Sequence, residues 1–203
     1  PEYSCSPNAT HTIWSDGGIS SDVMNVANPE AVQFAKDILA ELIEIFPYEV
    51  IHIGGDECPT TAWEGNALCQ AKYAELGLTN YRQLQSHFIK EMADFVQSKG
   101  RKLAVWNEAI TAGNADTETV KSTDALVYCW TGPENAAKKA QELGLKNIYT
   151  PWGPYYINRK QGNSAQDPPG AGDGTDNVQK TYNQTVPAAT DYGVQATFWC
   201  EHV

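Results

Sequence analysis

The sequence predicts an α/β protein built from parallel βαβ units. Segments with helical spacing of apolar residues alternate with short apolar runs of strand length, and the alternation recurs along the chain. Strands that alternate with helices pair in parallel through right-handed crossovers. At 203 residues, 41% hydrophobic and 19% charged, the chain can bury a core and fits one ordinary domain or a piece of a larger one.

The first helix is expected in "NPEAVQFAKDILAELIEIF". Asn28 can cap it, Pro29 suits its first turn, and Val32, Ala35, Ile38, Leu39, Leu42 and Phe46 fall on one face. The run Val50–Ile53 follows at once as the first strand. In "YRQLQSHFIKEMADFVQSKG", Leu84, Phe88, Met92, Phe95 and Val96 keep helical spacing until Gly100 ends the helix, and Lys102–Trp106 is the next strand. Ala125–Cys129, Asn147–Thr150 and Gln195–Trp199 complete a set of five strands, with "ENAAKKAQELG" as the helix between the third and fourth. The stretch "NRKQGNSAQDPPGAGDGTDN" is rich in Gly, Pro and Asp and too long for an ordinary connection, so it reads as a functional loop.

A net charge of -11 argues against nucleic acid or an anionic membrane surface as partner, because both require a basic face. No run reaches the length of a membrane span, and "PEYSCSPNAT" has neither the basic cluster nor the apolar core of a signal peptide. With no initiator Met, the sequence reads as an excised piece. Cys5, Cys58, Cys69, Cys129 and Cys200 form an odd, scattered set without CxxC spacing, which reads as mostly free thiols and not as a zinc site.

Each strand run leads directly into groups that bind ligands. Asp56 and Glu57 follow the first; Trp106, Asn107 and Glu108 the second; Trp130 the third; Tyr155, Tyr156 and Asn158 the fourth; Trp199 and Glu201 the fifth. Parallel α/β folds build their sites at the carboxyl ends of strands, so these groups point to one shared site. Indoles stack on the CH faces of sugars, and carboxyls accept from hydroxyls in fixed directions. Glycosidic cleavage needs a carboxylic acid to protonate the leaving oxygen, and a neighbouring carboxylate with partial burial helps to keep that acid protonated. Without a motif, an Asp-Glu pair at a strand end reads as a pair of acids favoured by a helix N-terminus. His52 alone reads as a core histidine, each Trp alone as core or ligand wall, and Asn107 and Glu108 as facing either the site or solvent.

The segment "HIGGDE", the tryptophans after later strands and "FWCE" resemble the β-N-acetylhexosaminidases of family 20 of the glycoside hydrolases, over nearly the whole chain. The resemblance implies a (β/α)8 TIM barrel, of which residues 1–203 form a part of one catalytic domain holding strands four to eight. It implies a retaining mechanism in which the substrate's 2-acetamido oxygen attacks the anomeric carbon and forms an oxazolinium, the known exception to the two-carboxylate scheme. On this resemblance Glu57 is the general acid and later the base, and Asp56 holds the acetamido N–H and steadies the developing positive charge. Tyr156 resembles the tyrosine that donates to the acetamido oxygen. Trp106, Trp130 and Trp199 resemble the indoles around the pocket, Glu201 the acceptor for sugar hydroxyls, and His52 a support for the acid. Asn158 stands where many relatives have Asp. No cofactor or metal is implied.

The implied activity is removal of terminal N-acetylglucosamine or N-acetylgalactosamine from glycans, in the periplasm or outside the cell. A lacto-N-biosidase-like member of the same family and a non-catalytic carbohydrate-binding barrel remnant are the alternatives. Lacking three strands and the family's sugar-binding arginine, the piece by itself is expected to be inactive or nearly so and prone to self-association through exposed edges.

Overall fold

A computed structural model describes residues 3–5, 23–162 and 175–199. The chain divides into two compact units, Pro1–Ala125 and Leu126–Val203. In the first, helix α1 (Pro29–Ile45) leads to strand β1 (Val50–His52). Short helices α2 (Thr61–Glu64) and α3 (Ala67–Glu75) precede α4 (Arg82–Ser98), strand β2 (Lys102–Trp106), α5 (Glu108–Thr111) and α6 (Thr117–Lys121). The second unit holds β3 (Leu126–Cys129), α7 (Pro133–Glu142), β4 (Asn147–Tyr149) and α8 (Val178–Tyr182).

Within the first unit β1 and β2 pair in parallel, with His52 opposite Ala104. Within the second, β3 and β4 pair in parallel, with Cys129 opposite Tyr149. The α4 crossover packs on β2, and α7 covers both β3 and β4. Strand β2 is buried from Leu103 to Trp106 on both sides of the chain, as expected of a parallel strand covered on both faces.

The caps follow the sequence. Asn28 accepts from the Glu30 N–H at 2.9 Å, and Pro29 occupies a first-turn position where its missing N–H costs nothing. Ala31, Val32 and Leu39 are buried, whereas Ile38 and Phe46 are exposed, so the buried stripe of α1 is narrower than its apolar spacing suggests. On α4 the buried face runs through Leu84, Ile89, Met92, Ala93 and Val96; Phe88 and Phe95 sit at its edges. Gln85 and Ser86 are buried polar residues on the same helix.

Three of the five expected strands shorten by one residue, to Val50–His52, Leu126–Cys129 and Asn147–Tyr149, and Lys102–Trp106 is unchanged. The fifth, Gln195–Trp199, is not a strand. Its backbone bonds first along Tyr149, with Tyr149 N–H donating to Gly193 O and Gln195 N–H to Tyr149 O, both at 3.0 Å. It then changes partner: Thr197 N–H donates to Tyr155 O at 2.8 Å and Ile157 N–H to Thr197 O at 2.9 Å. Residues 150–154 leave the ladder between these contacts, so only isolated parallel bridges form. Among the described residues the sheet strands therefore number four. Twelve residues of the Gly/Pro/Asp-rich stretch, 163–174, lie outside the described residues. Among the described residues, no helix is long and apolar enough to cross a membrane.

Candidate active site

The acid pair stands on a loop that leaves β1 through two glycines. Ile53 N–H still donates to Ala104 O at 3.0 Å and Trp106 N–H donates to Gly54 O at 2.9 Å, so the ladder with β2 continues just past the strand. The chain then turns through φ +78° at Gly54 and +97° at Gly55, values that side chains with a Cβ rarely adopt. Gly54 N–H donates to His52 Nδ1 at 2.9 Å, which sets the loop's departure angle. From α4, Gln85 Nε2 donates to Gly55 O at 2.9 Å, and Arg82 Nη1 donates to Gln85 Oε1 at 2.9 Å. A buried glutamine thus occupies the carbonyl of the residue before the acids.

Asp56 is half-buried and Glu57 is exposed. Burial pushes the Asp56 carboxyl above the ordinary carboxylate range, against a smaller opposing effect of a hydrogen bond with its own backbone. Glu57 has φ +45°, one of three non-glycine residues in the left-handed region among the described residues. Such backbone costs about 1–2 kcal/mol and concentrates at functional positions. Burial thus falls on Asp56 and leaves Glu57 exposed, opposite to the expectation that partial burial acts on the general acid, because the turn through Gly54 and Gly55 carries Glu57 out to solvent.

The His52 ring lies 4.7 Å from the Trp106 indole, tilted by 57°, and burial lowers its pKa to about 4. The ring is thus neutral at pH 7, with Nδ1 accepting from Gly54 and the proton on Nε2. A histidine held neutral in the fold binds its proton later than it would in the unfolded chain, so stability is present above pH 6.5 and falls as pH drops toward 4. We expect a loss on the order of 2 kcal/mol across that window, after discounting for the ring's partial exposure. His52→Asn keeps an acceptor near the Nδ1 position and removes the titration. Denaturant unfolding at stepped pH should show the slope in the wild type and a flatter line in the variant; equal slopes would exclude His52 as its source.

Trp106 is buried at the end of β2. Asn107 is fully buried, and its amide donates to Thr111 Oγ1 at 3.0 Å in the first turn of α5, while Glu108 opens that helix half-buried.

In the second unit, Trp130 follows β3 half-buried, and its carbonyl accepts from Trp152 N–H at 2.8 Å. After β4 the chain makes a run of turns. Tyr156 is buried there with its ring edge-on to Trp199 at 6.1 Å, whereas Tyr155 meets Tyr149 at 6.3 Å. Parallel bridging of Tyr156 to Thr197 carries Trp199 alongside. Both polar atoms of the Asn158 amide are buried without a hydrogen-bond partner among the described residues. An amide in that state costs free energy unless something else satisfies it, and a ligand hydroxyl is the natural candidate. Beside it Arg159 pairs with Asp176 at 2.9 Å, both largely buried, and lies 4.6 Å over the exposed Trp152 indole. Glu201 lies outside the described residues, as do Trp14, Asp16 and Asp22.

The residues that sequence reasoning did not reach are Gln85, Arg82 and the Arg159–Asp176 pair. Gln85 left one trace: a polar side chain at helical spacing from Phe88, Ile89 and Met92.

Parallel βα units whose ligand-type residues follow the carboxyl ends of strands define a chain of the (β/α) barrel class. The chain belongs to glycosyl hydrolase family 20, whose catalytic-domain model matches residues 1–203. The β-hexosaminidase of Porphyromonas gingivalis is 30% identical over 214 residues, covering 100% of this chain and 26% of its own length. That of Vibrio furnissii is 28% identical over 193 residues, covering 91% of this chain and 30% of its own length. The crystal structure of the family 20 exo β-N-acetylglucosaminidase of Vibrio harveyi with N-acetylglucosamine superposes with a TM-score of 0.76 at 29% identity, over 89% of this chain and 28% of that one. The chain thus spans between a quarter and a third of the length of these relatives.

Proposed function

We propose that the protein removes terminal non-reducing N-acetyl-D-hexosamine from β-N-acetylhexosaminides, with retention, through the substrate's own 2-acetamido group. The observation that carries this reading is the acid loop: a half-buried Asp56 beside an exposed Glu57, turned out of β1 by two glycines of positive φ. Membership of family 20 and the names of the β-hexosaminidase relatives support it.

In the first step the acetamido oxygen attacks C1, the exocyclic C1–O bond breaks, and Glu57 gives its proton to the leaving oxygen. In the second, Glu57 takes a proton from water as that water attacks C1 and reopens the oxazolinium ring. Two inversions give net retention. An internal nucleophile is already held in place, which offsets about 7 kcal/mol or more of the entropic barrier. Asp56, ionised, accepts from the acetamido N–H and stabilises positive charge as it spreads onto that group. Tyr156 donates to the acetamido oxygen and holds it toward C1. Trp106, Trp130 and Trp199 wall the sugar, and Asn158 and Glu201 bind its hydroxyls. The neutral amide of Asn158 can donate as well as accept, which an Asp carboxylate cannot.

The test is the dependence on the acetamido group. In the full-length protein, an aryl β-N-acetylglucosaminide should be hydrolysed and release the β-anomer first, while the matching aryl β-glucoside should be inert. A trifluoroacetamido substrate, whose carbonyl is a poorer nucleophile, should react more slowly. Comparable hydrolysis of the glucoside, or initial release of the α-anomer, would overturn the mechanism. Binding of N-acetylglucosamine without hydrolysis of any substrate would favour a carbohydrate-binding role.

A further inference from the structure

Behind the acid loop, Trp63, Cys69 and Leu84 form a small buried cluster against which Cys5 and Cys58 pack. The segment from Tyr3 to Cys5 is held there by a few polar contacts. Cys5 N–H donates to Val23 O at 2.9 Å and Asn25 N–H to Tyr3 O at 2.7 Å, while Asn66 Nδ2 reaches Cys5 O at 3.4 Å. Trp63 Nε1 donates to Met24 O at 3.0 Å, fixing the partner of that segment to α2. Inside this frame the Cys5 and Cys69 sulfurs stand 4.0 Å apart. Cys69, fully buried on α3, also lies 3.3 Å from Asn25 Oδ1.

We propose that Cys5 and Cys69 are the two halves of a disulfide that ties the Tyr3–Cys5 segment to α3. A disulfide requires a sulfur separation of about 2 Å, so the gap to close is roughly 2 Å. Rotation of a cysteine between staggered rotamers moves its sulfur by that order, and the backbone contacts need not break. The bond forms by exchange with a small disulfide such as oxidised glutathione. Cys5, half-buried, loses its proton to solvent and attacks one sulfur of the reagent, releasing one thiolate and leaving a mixed disulfide. Cys69 then loses its proton, attacks the Cys5 sulfur and releases the second thiolate. The two cysteines are oxidised by two electrons, and the reagent is reduced to two thiols. Burial pushes the Cys69 thiol up, in keeping with its acting second.

The closed ring would run from Cys5 to Cys69 and contain β1 and the loop of Asp56 and Glu57. Cross-links that close long loops restrict the unfolded chain most, so the bond would protect the unit carrying the acids against unfolding. Its role is separate from the proposed hydrolysis and survives or fails independently of it.

Mass spectrometry decides the matter on the full-length protein. After incubation with oxidised glutathione, the protein is unfolded without reductant, alkylated, and cleaved after glutamate. Cleavage at Glu57, Glu64 and Glu75 places Cys58 and Cys69 on different peptides. The expected result is a cross-linked pair holding Cys5 and Cys69, with Cys58 alkylated, and a higher denaturant midpoint after oxidation in the wild type but not in Cys5→Ser. Alkylation of both Cys5 and Cys69 after oxidation, a lasting glutathione adduct on Cys5, or pairing of either with another cysteine would each overturn the proposal.

Discussion

In the full-length protein, Glu57→Gln should lower turnover of a β-N-acetylglucosaminide by about 10²–10⁴-fold, the usual scale of a positioned general acid and base. The amide keeps nearly the shape and hydrogen-bonding reach of the acid and removes only the proton that moves. Its side chain is exposed, so the fold should hardly notice the change, and the left-handed backbone at φ +45° is no harder for Gln than for Glu. The loss should depend on the leaving group. A nitrophenolate departs with little help, so the acid step suffers least there and the base step becomes limiting; an alcohol leaving group from a glycan needs the proton and should show the larger drop. Hydrolysis of both at wild-type rates would sink the assignment of Glu57, provided unfolding curves of the two proteins coincide.

The parts of the fold that were legible in the sequence are those whose cause is local. Asn28 and Pro29 cap α1 as their chemistry dictates, and Lys102–Trp106 is the β2 strand without a change of residue. Helix α3 was not legible because its burial is too slight to set a period: Cys69 is its one buried residue and Leu68 faces solvent. Its start is written in Asn66, which accepts from both Leu68 N–H and Cys69 N–H, but an isolated Asn is a common residue in loops. The run Gln195–Trp199 has strand composition, yet whether it forms a ladder depends on its neighbour. That neighbour leaves the sheet after Tyr149, which no reading of the run itself could show.

The site divides in the same way. The positions of Asp56, Glu57 and Trp106 in the first unit, and of Tyr156 in the second, were legible because they stand at or after strand ends in sequence, which is where parallel units place ligand groups. What holds the acid loop is not local. Gln85 lies 30 positions from Gly55 in the chain, and only the packing of α4 brings its amide to that carbonyl. The acid loop is therefore specified twice, by its own glycines and by a distant helix. The first specification is a motif and the second is a contact.

Asp56→Asn should separate activity from stability in one variant. The carboxyl of Asp56 is raised by burial, so its charged form is the costly one in the folded state. The sign follows from linkage: a group with a raised folded pKa favours the fold at pH values below its unfolded pKa, and that contribution is lost as pH rises through the folded pKa. At neutral pH the fold therefore bears the burial of the charge, and a neutral Asn of the same shape should leave unfolding free energy unchanged or increase it. Turnover should move the other way. If the charge stabilises the acetamido group as it becomes positive, removing it should cost about 10²–10³-fold, the scale seen when one preorganised electrostatic partner is lost. The same charge sets a pH limit. Wild-type kcat/KM should fall on acidification at a pH above the ordinary carboxylate range, because Asp56 takes up its proton early, and that limb should be absent from the residual activity of Asp56→Asn. A variant that is both less stable at neutral pH and fully active would show that Asp56 is a structural carboxylate. Loss of stability together with loss of activity would place its role in holding the loop, with no share in steadying the substrate's charge.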